Sequence, residues 1–283
     1  MLYSNLIESL KLHLSFLEEI KHKGKILVIA SNREELYALE KEFIIEKIPY
    51  FRGKNNDGTY KYSYPHFLEK EEIKHVMGYF QIMDGDNAGL ERICMLLYGN
   101  TRTIKKIIKH DALEIYEYLD ISDNQKGRIK NLIKIKEEIM KQSKLYPTLS
   151  SKINYIIRRP EFLRYLKRDL VTLDNVMRLK EIIEVFEKRK ESFTFSDLKK
   201  LQKINKNTPS KKQVHLIKPT DYKAGYYCTC YISKNYKEEL EKLLKERKVS
   251  SDLVNLICYD VKAKKMKEFT KDTRLEKTLE KSI

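Results

Sequence analysis

The stretch Gly99-Asn100-Thr101-Arg102-Thr103, with Lys105 and Lys106 close behind, has the residue types needed to hold an anion. A glycine-containing turn that enters a helix offers unpaired backbone N–H groups, and cations nearby add an attraction that salt screens. The same residues also describe an ordinary helix start carrying solvated lysines. A second cluster, RRPEFLRYLKRDL, holds Arg158, Arg159, Arg164, Lys167 and Arg168. On a helix, positions 164, 167 and 168 share one face. The alternative is a solvated face whose cations pair with Glu161 and Asp169.

Other reactive side chains form no constellation. Cys94, Cys228, Cys230 and Cys258 fit a reducing compartment. Cys228 and Cys230 fall on one face of a strand, because side chains alternate there with period two. Cys258 could supply a third metal ligand, but no CxxC pair or neighbouring histidine completes the set, so core thiols are expected. His13, His22, His66, His75, His110 and His215 have neither ligand nor triad spacing and are expected in packing or at the surface. Glu71 and Glu72 are expected on a solvated helix face, and no isolated acid pair suggests hydrolysis. No cofactor and no metal are expected for the chain alone.

Composition narrows the partner classes. The 283 residues include 57 Lys and Arg against 41 Asp and Glu, giving a formal charge of +16 and a pI near 9.4. Such a balance favours polyanions, since cations that neutralise phosphates release condensed counterions. A lysine-rich solvated surface gives the same count. With 41% hydrophobic and 35% charged residues, nine Gly and six Pro, a mainly helical globular protein is expected. At the N-terminus, Leu2, Leu6, Leu10, Leu14 and Leu17 recur at helical spacing with acids between them, which describes an amphipathic helix and not a signal peptide. No apolar run approaches the ~20 residues of a membrane span, so no membrane partner is expected. The expected location is cytoplasmic, with nucleoid association compatible with the charge.

Three segments position these residues. KILVIAS (25–31) is a continuous apolar run that predicts a buried parallel strand. The helix after it has Leu36, Leu39, Phe43 and Ile44 as its apolar face, Ser31 or Asn32 as its cap and Pro49 as its limit. Between 53 and 207 no strand is convincing. Helical periodicity runs through 68–83, 90–98, 103–119, 126–144, 149–170, 174–190 and 195–204. From about 211 strand patterns return at 214–218, 226–232 and 253–260, with a helix at 236–248 and an edge-strand candidate at 264–271. The strand segments at either end are too few to make a sheet alone. The expectation is an α/β protein, mainly helical, whose parallel-sheet domain (1–52 with 208–283) is interrupted by an all-helical insertion (53–207).

This arrangement resembles the C-terminal half of UvrD/Rep/PcrA-like superfamily 1 DNA helicases. The resemblance is carried by ILVIASNREELYALEKEFIIEKIPYFRGKNN (26–56) and by FLEKEEIKHVMGYFQIMDGDNAGLERICMLL (67–97). In the latter, Phe67, Glu72, Ile73, Lys74, Tyr79, Leu90, Arg92 and Ile93 match the family pattern in one register. Fainter matches follow in order: GNTRTIKKI (99–107), LDNVMRLKEII (173–183), VHLIKPTDYKAGYYCTCYI (214–232) at motif V and LVNLICYDVKAKKMKEF (253–269) at motif VI. The resemblance covers roughly residues 25 to 269 and implies a second RecA-like domain split by a helical 2B subdomain. It also implies that 99–107 contacts duplex DNA. Lys218, Thr220 and Lys223, with Lys211 and Lys212 beside them, would line a single-strand path. Thr220 could donate to a phosphate, and binding of this kind follows the backbone without reading sequence.

The same comparison marks what is missing. No GK[ST] loop and no acid pair for Mg²⁺ occurs in the chain. In the family these belong to a first RecA-like domain, which would precede residue 1. At motif V the family's Thr, His and GLEF stand as Lys218, Thr220 and Ala224-Gly225-Tyr226-Tyr227. At motif VI the phosphate-finger arginine aligns with Lys262, a point charge in place of a bidentate fork. The chain alone is therefore expected not to hydrolyse ATP, and ATP and Mg²⁺ would enter only with a partner that supplies the first domain. Three readings remain. One is a non-catalytic nucleic-acid-binding accessory module of replication, repair or recombination, acting at single-strand/duplex junctions. A second is one subunit of a split helicase, and a third is a protein-interaction module that binds no DNA.

Overall fold

Ile26–Ala30 (β1) is apolar at all five positions and buried at all five. A strand covered on both faces must sit inside a sheet, and β1 does. The computed structural model describes residues 3–19, 26–30, 33–52, 67–99, 102–110, 112–167, 169–189, 192–204, 214–217, 228–233, 255–260 and 265–270. Among them helix dominates, and the chain divides into two compact units: 1–66 with 201–283, and 67–200. The junctions expected from the sequence, at 52/53 and 207/208, do not coincide with these, which fall at 66/67 and 200/201.

In the discontinuous unit, β1 pairs in parallel with Val214–Ile217 on one side and with Cys228–Ser233 on the other; Ile26 lies opposite both Val214 and Cys228. Numbered in chain order, the strands are β1, β2 (Tyr50–Arg52), β3 (Val214–Ile217), β4 (Cys228–Ser233), β5 (Asn255–Asp260) and β6 (Lys265–Thr270), arranged β2-β3-β1-β4-β5-β6. All pairings are parallel except β5 with β6, where an antiparallel strand closes one edge. The opposite edge, β2, carries no pattern that announces it. Three residues are too few to show alternation, and β2 exists because Val214 N–H donates to the Pro49 carbonyl at 3.0 Å and starts the ladder.

Two helices accompany the sheet. α1 (Ser4–Glu19) buries Leu6, Ile7, Leu10, His13, Phe16 and Leu17 on one stripe, leaving Leu14 half-buried. α2 (Arg33–Ile45) buries Leu36, Leu39, Phe43 and Ile44. Glu40 is buried as well, because its Oε1 accepts from the Tyr50 hydroxyl at 2.8 Å. Residues 31 and 32 and the predicted helix at 236–248 lie outside the described residues.

The second unit is built from helices: α3 (Glu71–Met83), α4 (Leu90–Tyr98), α5 (Arg102–Lys109), α6 (Asp123–Ser143), α7 (Leu149–Ile156), α8 (Pro160–Leu166) and α9 (Leu170–Arg189). α10 (Phe195–Ile204) crosses its boundary. Ser122 with Gln125 and Thr148 with Ser151 form capping boxes that start α6 and α7. Two expectations are corrected. The pattern at 149–170 is not one helix, because Pro160 has no N–H for an interior position and opens α8 at its first residue. The pattern at 103–119 stops at Lys109. After Ile107 and Ile108 the next buried residue among those described is Leu113, too far along for the same stripe, and the chain turns through a 3-10 turn at Tyr116–Tyr118.

α3 is the central helix of this unit, with Ile73, Val76, Tyr79 and Phe80 all buried. Its approach to the short turn before α4 requires glycine on both sides. A Cβ at Gly89 would stand 2.1 Å from the Gly78 carbonyl oxygen, and one at Gly78 would stand 2.6 Å from the Arg92 Cβ. The Phe80 and Phe195 rings meet at 5.7 Å, and Phe186 stacks on Phe193 at 4.8 Å.

Candidate functional site

α5 has two faces set by spacing alone. Ile104, Ile107 and Ile108 are buried, which turns Arg102, Lys105, Lys106 and Lys109 outward at i, i+3, i+4 and i+7. These four cations, with Glu91 from α4, line an open cleft of about 510 Å³. Among the described residues no carboxylate pairs with Arg102, Lys106 or Lys109. A row of cations over two helical turns, faced by a single acid, attracts an extended anion. Lys109 was not singled out by the sequence reading; the i+7 step from Arg102 is the signal that finds it.

Gly99 has a different role from the one its spacing suggests. It closes α4, with φ 73°, and its N–H donates to the Met95 carbonyl at 3.0 Å. The donor expected to face a phosphate is therefore engaged, and Gly99 serves the left-handed backbone that ends a helix. Asn100 and Thr101 lie outside the described residues, as do Arg168, Lys211, Lys212, Lys218, Thr220, Lys223 and Lys262.

The cluster at 158–168 splits. Arg158, Arg164 and Lys167 are exposed; Arg164 lies in the last turn of α8, and Lys167 is its C-cap. Arg159 is internal. Its Nε donates to Glu161 Oε1 at 2.9 Å and its Nη1 to Glu138 Oε2 at 3.1 Å, while the Tyr79 hydroxyl donates to the same Glu161 oxygen at 2.9 Å. Burial opposes the Arg159 charge, yet the bond to Glu161 and its field outweigh that and raise the guanidinium pKa. Burial first, then the Glu161 charge, also raises Tyr79 well above its ordinary value. Glu161 thus pairs with Arg159 and not with the exposed cations, and Asp169 Oδ1 accepts from the Val171 N–H.

The expected solvated acid pair is corrected too. Glu71 is exposed; burial acts to raise its carboxyl, but the Lys74 hydrogen bond and charge, helped by Arg92, lower it. Glu72 is buried and accepts from Asn175 Nδ2 at 2.5 Å, while Asn175 Oδ1 accepts from Lys70 at 2.9 Å. The signal was present: Glu72 sits on the stripe Leu68, Val76 and Phe80, where a charge must bring its own partner. His75 is buried edge-on to Tyr165 at 4.9 Å, and its Nδ1 has no hydrogen-bond partner among the described residues. Burial, reinforced by the Arg92 charge, lowers its pKa to about 4, so it is a neutral packing residue at pH 7.

Cys94 is buried, as a core thiol would be. In the β4–β5 register, Cys228 and Cys230 lie opposite Asn255 and Ile257, whereas Cys258 lies opposite Tyr231. Among the described residues no group of three His, Cys, Asp or Glu is placed to hold a metal, and no helix is long and apolar enough to cross a membrane. The sequence matches no protein-family model and no curated protein.

Proposed function

We propose that this chain is a non-catalytic nucleic-acid-binding module that resembles the C-terminal half of a UvrD-like helicase, with α5 as its principal contact. The observation that carries the reading is the α5 face, where four cations at helical spacing border a cleft with one acid. Phosphates are the anions that recur along a linear path, and exposed lysines hold them without reading sequence. The RecA-like part of the reading draws support from β1, a fully buried strand flanked in parallel by segments from the far end of the chain. The 2B-like part draws support from the helical unit at 67–200. The absence of a GK[ST] loop from the sequence supports binding without ATP turnover.

Fluorescence anisotropy with a tailed duplex, measured across salt, tests this reading. Each phosphate contact contributes a slope of about −0.9 in log K against log salt on duplex and about −0.7 on single strand. The combined variant Arg102→Gln/Lys106→Gln/Lys109→Gln should flatten the slope by roughly 2 to 3. No binding at low salt, or an unchanged slope in the variant, would remove the reading.

A further inference from the structure

Residues 111–123, DALEIYEYLDISD, carry five acids and no Lys or Arg, in a chain whose net charge is +16. The central 3-10 turn is closed by the Tyr118 N–H donating to the Ile115 carbonyl at 3.0 Å. Side chains at i and i+3 eclipse in such a turn, so Ile115 and Tyr118 project together. They are 52% and 88% exposed, and Glu114, Glu117 and Asp120 are exposed around them. Lys126 fixes the turn by donating to the Glu117 carbonyl at 2.9 Å. Two large apolar side chains held outward among acids make poor solvent contacts and a poor nucleic-acid contact.

The same unit bears a patch of opposite charge. Between α8 and α9 the exposed cations Arg164 and Lys167 flank exposed Leu163, Leu170 and Val171, with Leu170 81% exposed. The nearest exposed acid on this corner, Asp169, is turned onto the Val171 N–H, and Asp174 lies one turn further along α9. A phosphate gains nothing from a leucine standing in water, whereas an acidic segment with two apolar side chains matches both the charge and the hydrophobicity.

We infer that copies of this chain associate head to tail, the acidic turn at 112–120 of one seating on the basic α8–α9 corner of the next. Both patches are exposed within one copy, so neither satisfies the other in the same molecule. The interface is heterologous: each copy keeps one unused patch of each kind, and growth continues unless the rotation closes a ring. It is small, therefore weak, and charge-dependent, therefore suppressed by salt.

Sedimentation velocity on nuclease-treated full chain tests this inference over roughly 10 µM to 1 mM, the range in which small interfaces associate. The expected result is a mass that rises with concentration at low salt and falls back to monomer near 1 M salt, where the Debye length is about 3 Å. Glu114→Lys/Asp120→Lys and Arg164→Glu/Lys167→Glu, each with an unchanged circular dichroism spectrum, should both be monomeric alone. Their equimolar mixture should associate again, because each retains one native patch. Tyr118→Ala should shift the self-association constant several-fold toward monomer. A wild-type monomer throughout, or a mixture that stays monomeric, overturns the inference. Loss of association in the α5 triple variant but not in the corner variant also overturns it, since the acidic turn would then be docking elsewhere.

Discussion

Glu161 stands where two groups depend on one carboxylate. Its side chain is 4% exposed, the Arg159 side chain 13%, and the Tyr79 hydroxyl that donates to it is buried. Glu161→Ala removes the acceptor from both donors at once. Arg159 is left with Glu138, which is half in solvent, and with a long contact of 3.4 Å to the Tyr155 hydroxyl. Breaking one partner of a buried pair costs about 3–5 kcal/mol, and an orphaned hydroxyl about 1–3. Arg159 keeps some access to water and a second acid, so the combined loss should be about 3–4 kcal/mol, not the sum. In a chain of this size that lowers the melting temperature by roughly 6–15 °C. Glu161→Gln keeps an oxygen for Tyr79 but no charge for Arg159, and should lose about 1–2 kcal/mol. The paired replacement Arg159→Met/Glu161→Met removes both charges together and should recover most of the stability lost by Glu161→Ala, because the desolvation of both ions disappears with them. Urea unfolding followed by circular dichroism gives all three midpoints. A Glu161→Ala protein as stable as wild type, or a double variant less stable than either single one, would refute this account of the network.

Gly89→Ala places a methyl 2.1 Å from the Gly78 carbonyl oxygen and should cost about 2–3 kcal/mol or prevent folding of the helical unit, whereas Gly127→Ala, which meets nothing within 4 Å, should not destabilise; equal urea midpoints would contradict the close approach. His75 gives a pH signature. Its folded pKa of about 4 lies below the ordinary 6.5, so the unfolded chain takes up this proton first, and the stability present above pH 6.5 is lost as pH falls toward 4. The loss amounts to about 3 kcal/mol at about 1.36 per pKa unit. His75→Phe, which keeps an aromatic edge against Tyr165, should unfold with a shallower pH dependence between 4.5 and 7, at about the difference stated; parallel curves would sink the assignment. Asn175→Ala leaves Glu72 buried without its donor and should cost about 2–3 kcal/mol, partly restored by Glu72→Gln in the same chain if the uncompensated charge is the cause; no restoration would place the cost elsewhere.

Several elements were legible because one local physical rule decided them. An unbroken run of five apolar residues has no solvent face to offer, so β1 could be read as covered on both sides. The stripe Leu36, Leu39, Phe43 and Ile44 required a helix that buries it. The cation face of α5 is the complement of three isoleucines, and any helix over 102–109 must present it. Other features carry their signal in a single residue: Pro160 forbids a continuous helix, and Glu72 interrupts an apolar stripe.

What the sequence determined by itself, then, was the identity of faces: which residues of each segment turn away from water, and where cations remain once they have. Spacing decides that within one or two turns of backbone, with no knowledge of neighbours. The tertiary structure alone decided the pairings. Glu161 took Arg159 in place of the exposed cations, Glu72 took an asparagine more than a hundred residues away, Gly89 met the carbonyl of Gly78, and β2 became a strand only when residues 214–217 came beside it. A buried charge or an unpaired backbone group has to find a partner, but which one is fixed by distances that only the packed chain sets.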